Sequence, residues 1–510
     1  MKDVVLVFEV HQPFRVRNNF FWDHRMFRKV NKGALFDFYF DRVIDRDLFN
    51  RVAKKCYFPS NNILLEAIDR HRGDRRRVKV AFSLSGSFLD QCEMFNRDLL
   101  ESFRQLAQSG CVEFLSQTYY HSLVGFYENN EAFREEVELH RRAISDLLQF
   151  QSRIFENTEL IFNNRIAKEA EQMGFTGIMA EGADRVLGGR SPNHVFSVKG
   201  CKRIKLLLRN YRLTDDVGYR FSARWWIEWP LTADKYAAWL LSEQGDCILI
   251  FPDYETFGEH QWPETGIHDF LRHLPEEILK RENLRFSTPS ETIAERKPIG
   301  EVDVQVPLTT SWAGDDRDTS HWLENTLQRA YYLHLNALSP LVRESGDRVV
   351  RQILGYLESS DQLHSMYSRG GSAGEVHKYF NPYMSHLHAY VLCESVLMDL
   401  EVRVRDFVVA ANDPFIFYEG IDKPTGLVAY SLRGLLGCLE RASEGSLAFH
   451  RSRGDFERWV ELSLHNPSLA KRIRAIPSKK SIPEIRRKLV EAIAESLPSP
   501  HRSSPPPPPE

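Results

Sequence analysis

Four short apolar runs in this chain each end on polar, mostly ionisable groups, and that recurrence constrains the fold more than any other feature. Val4-Val-Leu-Val-Phe8 leads through Glu9 and Val10 into His11-Gln12-Pro13, and Val112-Glu-Phe-Leu115 leads into Gln117, Tyr119, Tyr120 and His121. Phe175-Thr-Gly-Ile-Met-Ala180 ends on Glu181, and Cys247-Ile-Leu-Ile-Phe251 runs into Asp253 and Glu255. Continuous apolar runs mark parallel strands buried on both faces. In α/β barrels the reactive side chains sit just past the C-terminal ends of such strands. One such ending is common in any globular protein; four imply strand ends converging on one site.

Up to about residue 300 the short runs alternate with helical patterns, as parallel β/α units require. Expected strands are Val4–Val10, Val78–Leu84, Val112–Leu115, Gly177–Ala180 and Cys247–Phe251, with a last short one over Val302, Val304 and Val306. Helices are expected over Asn130–Phe150 and Thr232–Ser242 from their apolar spacing. An all-helical region follows, with helices over His321–Leu338, Arg348–Glu358 and Ser385–Asp399. A boundary falls near Arg405, where Phe407–Phe417 starts a strand-like run, and Ile485, Leu489 and Ile493 then mark a helix. The expected division is 1–300 for the barrel, 301–404 for a helical domain completing the groove, 405–497 for an accessory domain, and a Pro-rich tail at 498–510, extended and disordered.

Composition excludes several classes. Lys+Arg 67 against Asp+Glu 70 gives a net charge of -3, which offers no electrostatic footprint for nucleic acid or an anionic membrane. Seven scattered Cys with no C-x-x-C pair argue against a disulfide framework or zinc-thiolate site and for a reducing compartment. No apolar stretch reaches the length of a membrane span. Val4–Phe8 is too short for a signal peptide and is followed at once by Glu9. A cytoplasmic protein needing neither cofactor nor metal is expected.

The segment Asp253-Tyr-Glu255-Thr-Phe-Gly258-Glu-His260-Gln-Trp262 sets carboxylates beside aromatic rings. That pairing suits sugar chemistry, since acids can attack or protonate a glycosidic bond and rings can stack on pyranose faces. Together with His11-Gln12-Pro13, Tyr119-Tyr120-His121, Glu181-Gly-Ala, Arg224-Trp225-Trp226, Ser360-Asp361 and His377-Lys378-Tyr379, it makes the chain resemble the α-amylase-type members of glycoside hydrolase family 57, in order from about residue 3 to about residue 400. The resemblance implies a (β/α)7 barrel followed by helices, acting on α-glucans with retention of configuration. It puts Glu181 in the nucleophile position and Asp253 in the acid/base position. His11, Gln12, Trp22, His121, Trp225, Trp226, Glu255, Trp262 and Asp361 are assigned to substrate contact, with Trp229 and Trp312 as further stacking candidates.

The residues themselves leave choices. Glu181 could merely cap a neighbouring helix, although the small Gly182 and Ala183 after it would leave room for a sugar ring. Were strand geometry to persist past Phe251, Asp253 and Glu255 would face the same side, so Glu255 rivals Asp253 as acid/base. Departures from the family pattern are Gln117 where Glu is usual, Glu9 where Gln is usual, and Gln362 where His is usual. Three function classes are open: a retaining glycosidase or 4-α-glucanotransferase, a metal-dependent polysaccharide deacetylase using His11, His24, His121, Asp253 or His260, and a catalytically weak carbohydrate-binding relative.

Overall fold

The strands, in chain order, are β1 (Lys2–Val10), β2 (Val80–Leu84), β3 (Val112–Phe114), β4 (Ile154–Glu156), β5 (Gly177–Glu181), β6 (Val195–Val198), β7 (Lys205–Arg209), β8 (Cys247–Ile250), β9 (Leu284–Phe286), β10 (Glu301–Val302), β11 (Ala410–Tyr418) and β12 (Pro424–Ser431). They belong to a computed structural model that describes residues 1–369, 382–477 and 480–497. The His377-Lys378-Tyr379 block and the Pro-rich tail lie outside those residues.

β1 pairs in parallel with β2, and β2 with β3. A parallel bridge from Ser116 to Phe155 carries the sheet on to β4. From there β4 pairs with β5, β5 with β7, β7 with β8, and β8 with β1, all parallel. The ring closes as a seven-stranded (β/α) barrel. β9 lies parallel to the start of β1, while β6 runs antiparallel to β7 and carries β10.

Side-chain alternation along each strand sorts the apolar residues into two cores. Val5 and Val7 of β1 join Ala81, Ile154, Met179, Leu207 and Leu249 in the barrel interior. Val4, Leu6 and Phe8 face outward into a larger cluster with Val80, Phe82, Ile248, Ile250 and the covering helices. Helix starts are fixed by side-chain caps: Ser85 Oγ accepts from Phe88 N at 3.2 Å, Asn163 Oδ1 from Ile166 N at 3.0 Å and Asn210 Oδ1 from Leu213 N at 3.1 Å.

Two barrel strands have no counterpart among the sequence expectations. β4 is only three residues long, and β7 (Lys205-Leu-Leu-Leu-Arg209) begins and ends on a cation. The expected strand through Val306 stops at Val302, because Val306–Leu308 turns into a short 3-10 helix at Pro307. The expected helix over His321–Leu338 is two: Ser320–Leu323 and Thr326–Ser345. Phe407 ends a helix, His386–Val408, instead of starting a strand.

The chain forms two compact units: 1–19, 37–332 and 355–393 make the first, and 20–36, 333–354 and 394–510 the second. The first contains the barrel. In the second, β11 and β12 form an antiparallel hairpin whose Phe415 and Phe417 pack with Leu435, Phe456, Trp459, Leu489 and Ile493. Among the described residues no helix is long and apolar enough to cross a membrane.

Phe456 is fully buried in that second cluster, its ring stacked on Phe415 at 5.1 Å. Phe456→Ala should cost about 3–5 kcal/mol there. In calorimetry one unfolding transition should shift down while a second, from the barrel, stays where it is.

Candidate active site

The alternation that fills the barrel with Val7, Ile154, Met179 and Leu207 also dictates what lies at its C-terminal end. Two residues further along the same strands stand Glu9, Glu156, Glu181 and Arg209, with Ser83 two beyond Ala81. All five are buried. They form a polar layer inside the barrel, beneath the loops.

Within that layer Glu181 and Arg209 are direct neighbours across β5 and β7. Arg209 Nη1 donates to Glu181 Oε2 at 2.8 Å, Nη2 donates to Asp215 Oδ1 at 2.9 Å, and Nε donates to the Phe251 carbonyl at 2.9 Å. Burial raises the Glu181 carboxyl, although Arg209 and Arg317 pull the other way. The Glu181 side chain has no exposed surface. The one strand-end cavity that collects the expected site residues is lined by Arg209 and not by Glu181. Glu181, expected as the nucleophile, thus stands behind the cavity lining, where it holds the guanidinium that forms part of the cavity wall. Gly182 does not make room for a sugar either, for a Cβ there would lie 2.4 Å from the Arg209 carbonyl oxygen.

That cavity is lined by His11, Gln12, His121, Asp253, Glu255 and Asp361, six of the residues expected from sequence, together with Glu159, His260, Trp312 and Trp322. Glu159 is the residue sequence reasoning missed. It follows β4 by three positions, at a left-handed backbone (φ 60°) within the short turn Thr158–Leu160. A non-glycine residue there is strained, and such strain clusters at functional sites. The Glu159 carboxylate accepts from Trp312 Nε1 at 2.5 Å and from Ser360 Oγ at 2.9 Å, and His121 Nε2 lies 3.5 Å away. Burial alone would raise its pKa, but the hydrogen bond and charge of His121, then Trp312, bring it down to about 2.

His121, itself at a left-handed φ of 52°, is the cationic partner. Burial opposes its charge, yet Glu159 outweighs burial and its pKa is raised. Nδ1–H donates to Gln117 Oε1 at 2.8 Å, which leaves Nε2 facing Glu159. The Gln117 amide in turn donates to Glu9 Oε1 at 2.9 Å and Ser83 Oγ at 2.7 Å. Burial and the neighbouring Glu156 hold Glu9 well above the usual carboxylate range. Gln117 and Glu9, two departures from the family pattern, are thus direct partners: one carboxyl and one amide meet at this spot with their places exchanged.

His11 stacks on His121 with ring centroids 4.1 Å apart. Burial, then the His121 charge, lowers its pKa to about 4, so it is neutral at pH 7. In the matching tautomer Nε2–H donates to Asp361 Oδ2 at 2.8 Å, and Nδ1 accepts from the helix-capping Ser85 hydroxyl at 2.7 Å. Gln362, the third departure, accepts from Tyr383 at 3.2 Å and donates to the Phe14 carbonyl at 2.9 Å, away from the cavity lining.

β8 ends at Ile250, and Tyr254–Thr256 forms a 3-10 turn, so strand alternation does not relate Asp253 to Glu255. Glu255 is buried and accepts from the Tyr57 hydroxyl and from Gln12 Nε2 at 3.3 Å. Burial, then the charge of Asp253, pushes it up to about 8. Asp253 is the half-buried one of the two.

The tryptophans divide. Trp312 lies over the Arg209 guanidinium at 5.6 Å. Trp226 is half-buried, packed against the outer barrel core beside Trp239. Trp225 is 82% exposed, and Trp262 borders a second cavity. Trp22 is an exposed residue of the second unit. Among the described residues no group of three or more His, Cys, Asp or Glu is arranged to hold a metal ion.

A parallel barrel whose strand ends present ionised and protonated carboxyl groups beside tryptophans has the makings of a glycoside hydrolase. A model of glycosyl hydrolase family 57 matches residues 5–305. Over 415 residues the chain is 40% identical to a Methanocaldococcus jannaschii protein named "Putative alpha-amylase", covering 79% of this chain and 85% of that one. The chain belongs to glycosyl hydrolase family 57. Solved structures with the same fold include the 4-α-glucanotransferase of Thermococcus litoralis (TM-score 0.57, 15% identity, 84% of this chain and 63% of that one). Another is a GH57 branching enzyme of Thermococcus kodakaraensis in complex with glucose (TM-score 0.54, 14% identity, 80% and 90%). The chain thus spans less than two thirds of the glucanotransferase.

Two outcomes follow. Arg209→Met strands a buried Glu181 carboxylate and should cost about 3–5 kcal/mol in denaturant unfolding, whereas the double change Arg209→Met with Glu181→Leu should recover much of that loss. His121→Asn removes the cation beside Glu159, so the Glu159 pKa should rise from about 2 toward the usual glutamate value. Ionised Glu159 would then be lost at higher pH. Titration of this carboxyl followed by NMR should show the upward move.

Proposed function

We propose that the protein is a retaining glycosidase of α-amylase type acting on α-1,4-glucans, with Glu159 as nucleophile and Asp253 as acid/base. The observation that carries this reading is the presence, in the lining of one cavity, of a carboxylate held ionised and a second carboxyl on the loop after β8. The names of the M. jannaschii, T. litoralis and T. kodakaraensis relatives support α-glucan as the substrate class.

Retaining hydrolysis needs one ionised carboxylate to attack the anomeric carbon and another, protonated, to give its proton to the leaving oxygen. Glu159 meets the first need: His121, Trp312 and Ser360 keep it charged and fix its direction. As Glu159 forms its bond to the sugar, its negative charge is spent and His121 is left facing a neutral ester, which favours the return step. Asp253 protonates the departing 4-oxygen, then removes a proton from the incoming water. Glu255 lies close enough to Asp253 for their charges to interact, and with its pKa pushed up to about 8 it stays neutral at pH 7 and does not oppose ionisation of Asp253 in the second step. Neutral His11, held by Ser85, fixes the Asp361 carboxylate, which can accept from sugar hydroxyls, without competing for the proton.

When a sugar hydroxyl replaces water in the second step, the same machinery performs 4-α-glucan transfer; longer as well as shorter chains from maltoheptaose would reveal it. Catalysis by these carboxyls requires no cation, so chelation should leave turnover intact, and loss that zinc restores would favour the deacetylase alternative instead. A folded chain that binds maltoheptaose without altering it would favour the carbohydrate-binding alternative.

The role assignment has a stereochemical test. Glu159→Ala should abolish turnover of an activated α-glucosyl substrate, and azide should restore it with a product of inverted configuration. Asp253→Ala should be rescued by azide with retention. Glu181→Gln should stay active to within about ten-fold, because it lies outside the cavity lining. Rescue of Glu181→Ala with inversion, alongside an active Glu159→Ala, would reverse the assignment.

A further inference from the structure

At about 120 Å³ the catalytic cavity falls below the roughly 300–1,000 Å³ of ordinary small-molecule sites, so it takes the reacting part of a glucan and little more. A second cavity of about 510 Å³ adjoins it. Its lining includes Arg224, Trp229, His260, Trp262 and Glu264. His260 lines both cavities, so the two lie side by side.

The walls of the second cavity are unusual for a surface with no ligand role. Trp229 is 44% and Trp262 57% exposed. Large rings are ordinarily the residues that bury most apolar area, and their clustered exposure marks a binding surface. The loop bearing Trp229 is not loose. Trp226 anchors it against the barrel core, and Lys235 donates to the Glu228 carbonyl at 2.7 Å and pairs with the Glu228 carboxylate at 2.7 Å. Backbone turns from Trp226 N to Ala223 O and from Trp229 N to Trp226 O, both 2.9 Å, fix its course. Each exposed ring has a cation beside it: Arg224 lies 5.8 Å from the Trp229 ring and Lys55 lies 5.4 Å from that of Trp262. Rings for sugar faces and fixed polar groups for hydroxyls are what a neutral oligosaccharide requires.

Position gives the cavity its role. His260 and Trp262 belong to the same segment that carries Asp253, seven and nine residues on. An acid that protonates the leaving oxygen stands on the side where the departing chain lies, so a cavity continuing from that segment receives the departing chain. We infer that the cavity between Trp229 and Trp262 is the leaving-group and acceptor subsite, holding the α-glucan segment that departs in the first step and, in transfer, the acceptor that replaces it. This inference rests on the glucanase reading above.

The test compares two substrates with the full chain. Nitrophenyl α-maltoside places only an aryl group on the leaving side, whereas maltoheptaose places sugars there. Trp229→Ala should lower kcat/KM for maltoheptaose relative to nitrophenyl α-maltoside by about ten-fold, as truncation of a central binding tryptophan does, and should shift products from transfer toward hydrolysis. Trp229→Phe, which keeps a ring, should recover most of the ratio. An unchanged ratio in a variant with wild-type melting behaviour would overturn the inference while leaving the glycosidase reading intact. A wild-type protein that cleaves neither substrate would overturn both.

Discussion

Side chains alternate along a β-strand, and a closed barrel allows no exception. A strand that buries Val5 and Val7 inside must aim Glu9 inward as well, and the same rule delivers Glu156, Glu181 and Arg209 to the barrel end. Charges placed there cannot reach bulk water, so they must neutralise one another or give up their charge. Arg209 answers Glu181, while Glu9 is held protonated by burial and Glu156. The groups proposed to be catalytic lie beyond this layer, on the turns and loops that follow the strands.

From that layer the electrostatics of the cavity follow. Gln117 bridges the protonated Glu9 and the His121 cation through the two ends of one amide. His121 then sets the ionisation of Glu159, while burial, and after it the charge of the stacked His121, keeps His11 neutral. A carboxylate shifted down to about 2 and another pushed up to about 8 thus share one cavity. Environments that drive titratable groups apart in this way are what acid/base and nucleophilic roles demand.

Much of this was legible in the sequence. The apolar runs disclosed five of the barrel strands, and the groups following them, His11, His121, Asp253 and Glu255, do meet in one cavity. Glu159 was hidden because β4 contributes only Ile154-Phe155 before Glu156, too short a run for strand periodicity to register. Its ending still had the same grammar, an apolar pair followed by Glu156 and Glu159, and a seventh strand was needed to close the ring. Glu181 shows the converse: expected in the site, it lies outside the cavity lining. A carboxylate ending a long apolar run looks like a site residue, but only the strand's facing tells whether it points into the barrel or stands above it. The tryptophans were equally undecidable from sequence, since Trp225 and Trp226 are adjacent yet one is in solvent and the other packed against the core.

The proposed chemistry turns on which glutamate bonds to the sugar. A 5-fluoro-α-glucosyl fluoride would trap the glycosyl-enzyme, and proteolysis with mass spectrometry would locate the label. The label should fall on the peptide containing Phe155-Glu156-Asn157-Thr158-Glu159 and, by fragmentation, on Glu159. A sugar found on Glu181 would contradict the account at its centre, because it would require the Arg209 pair and the polar layer beneath the cavity to open during every turnover.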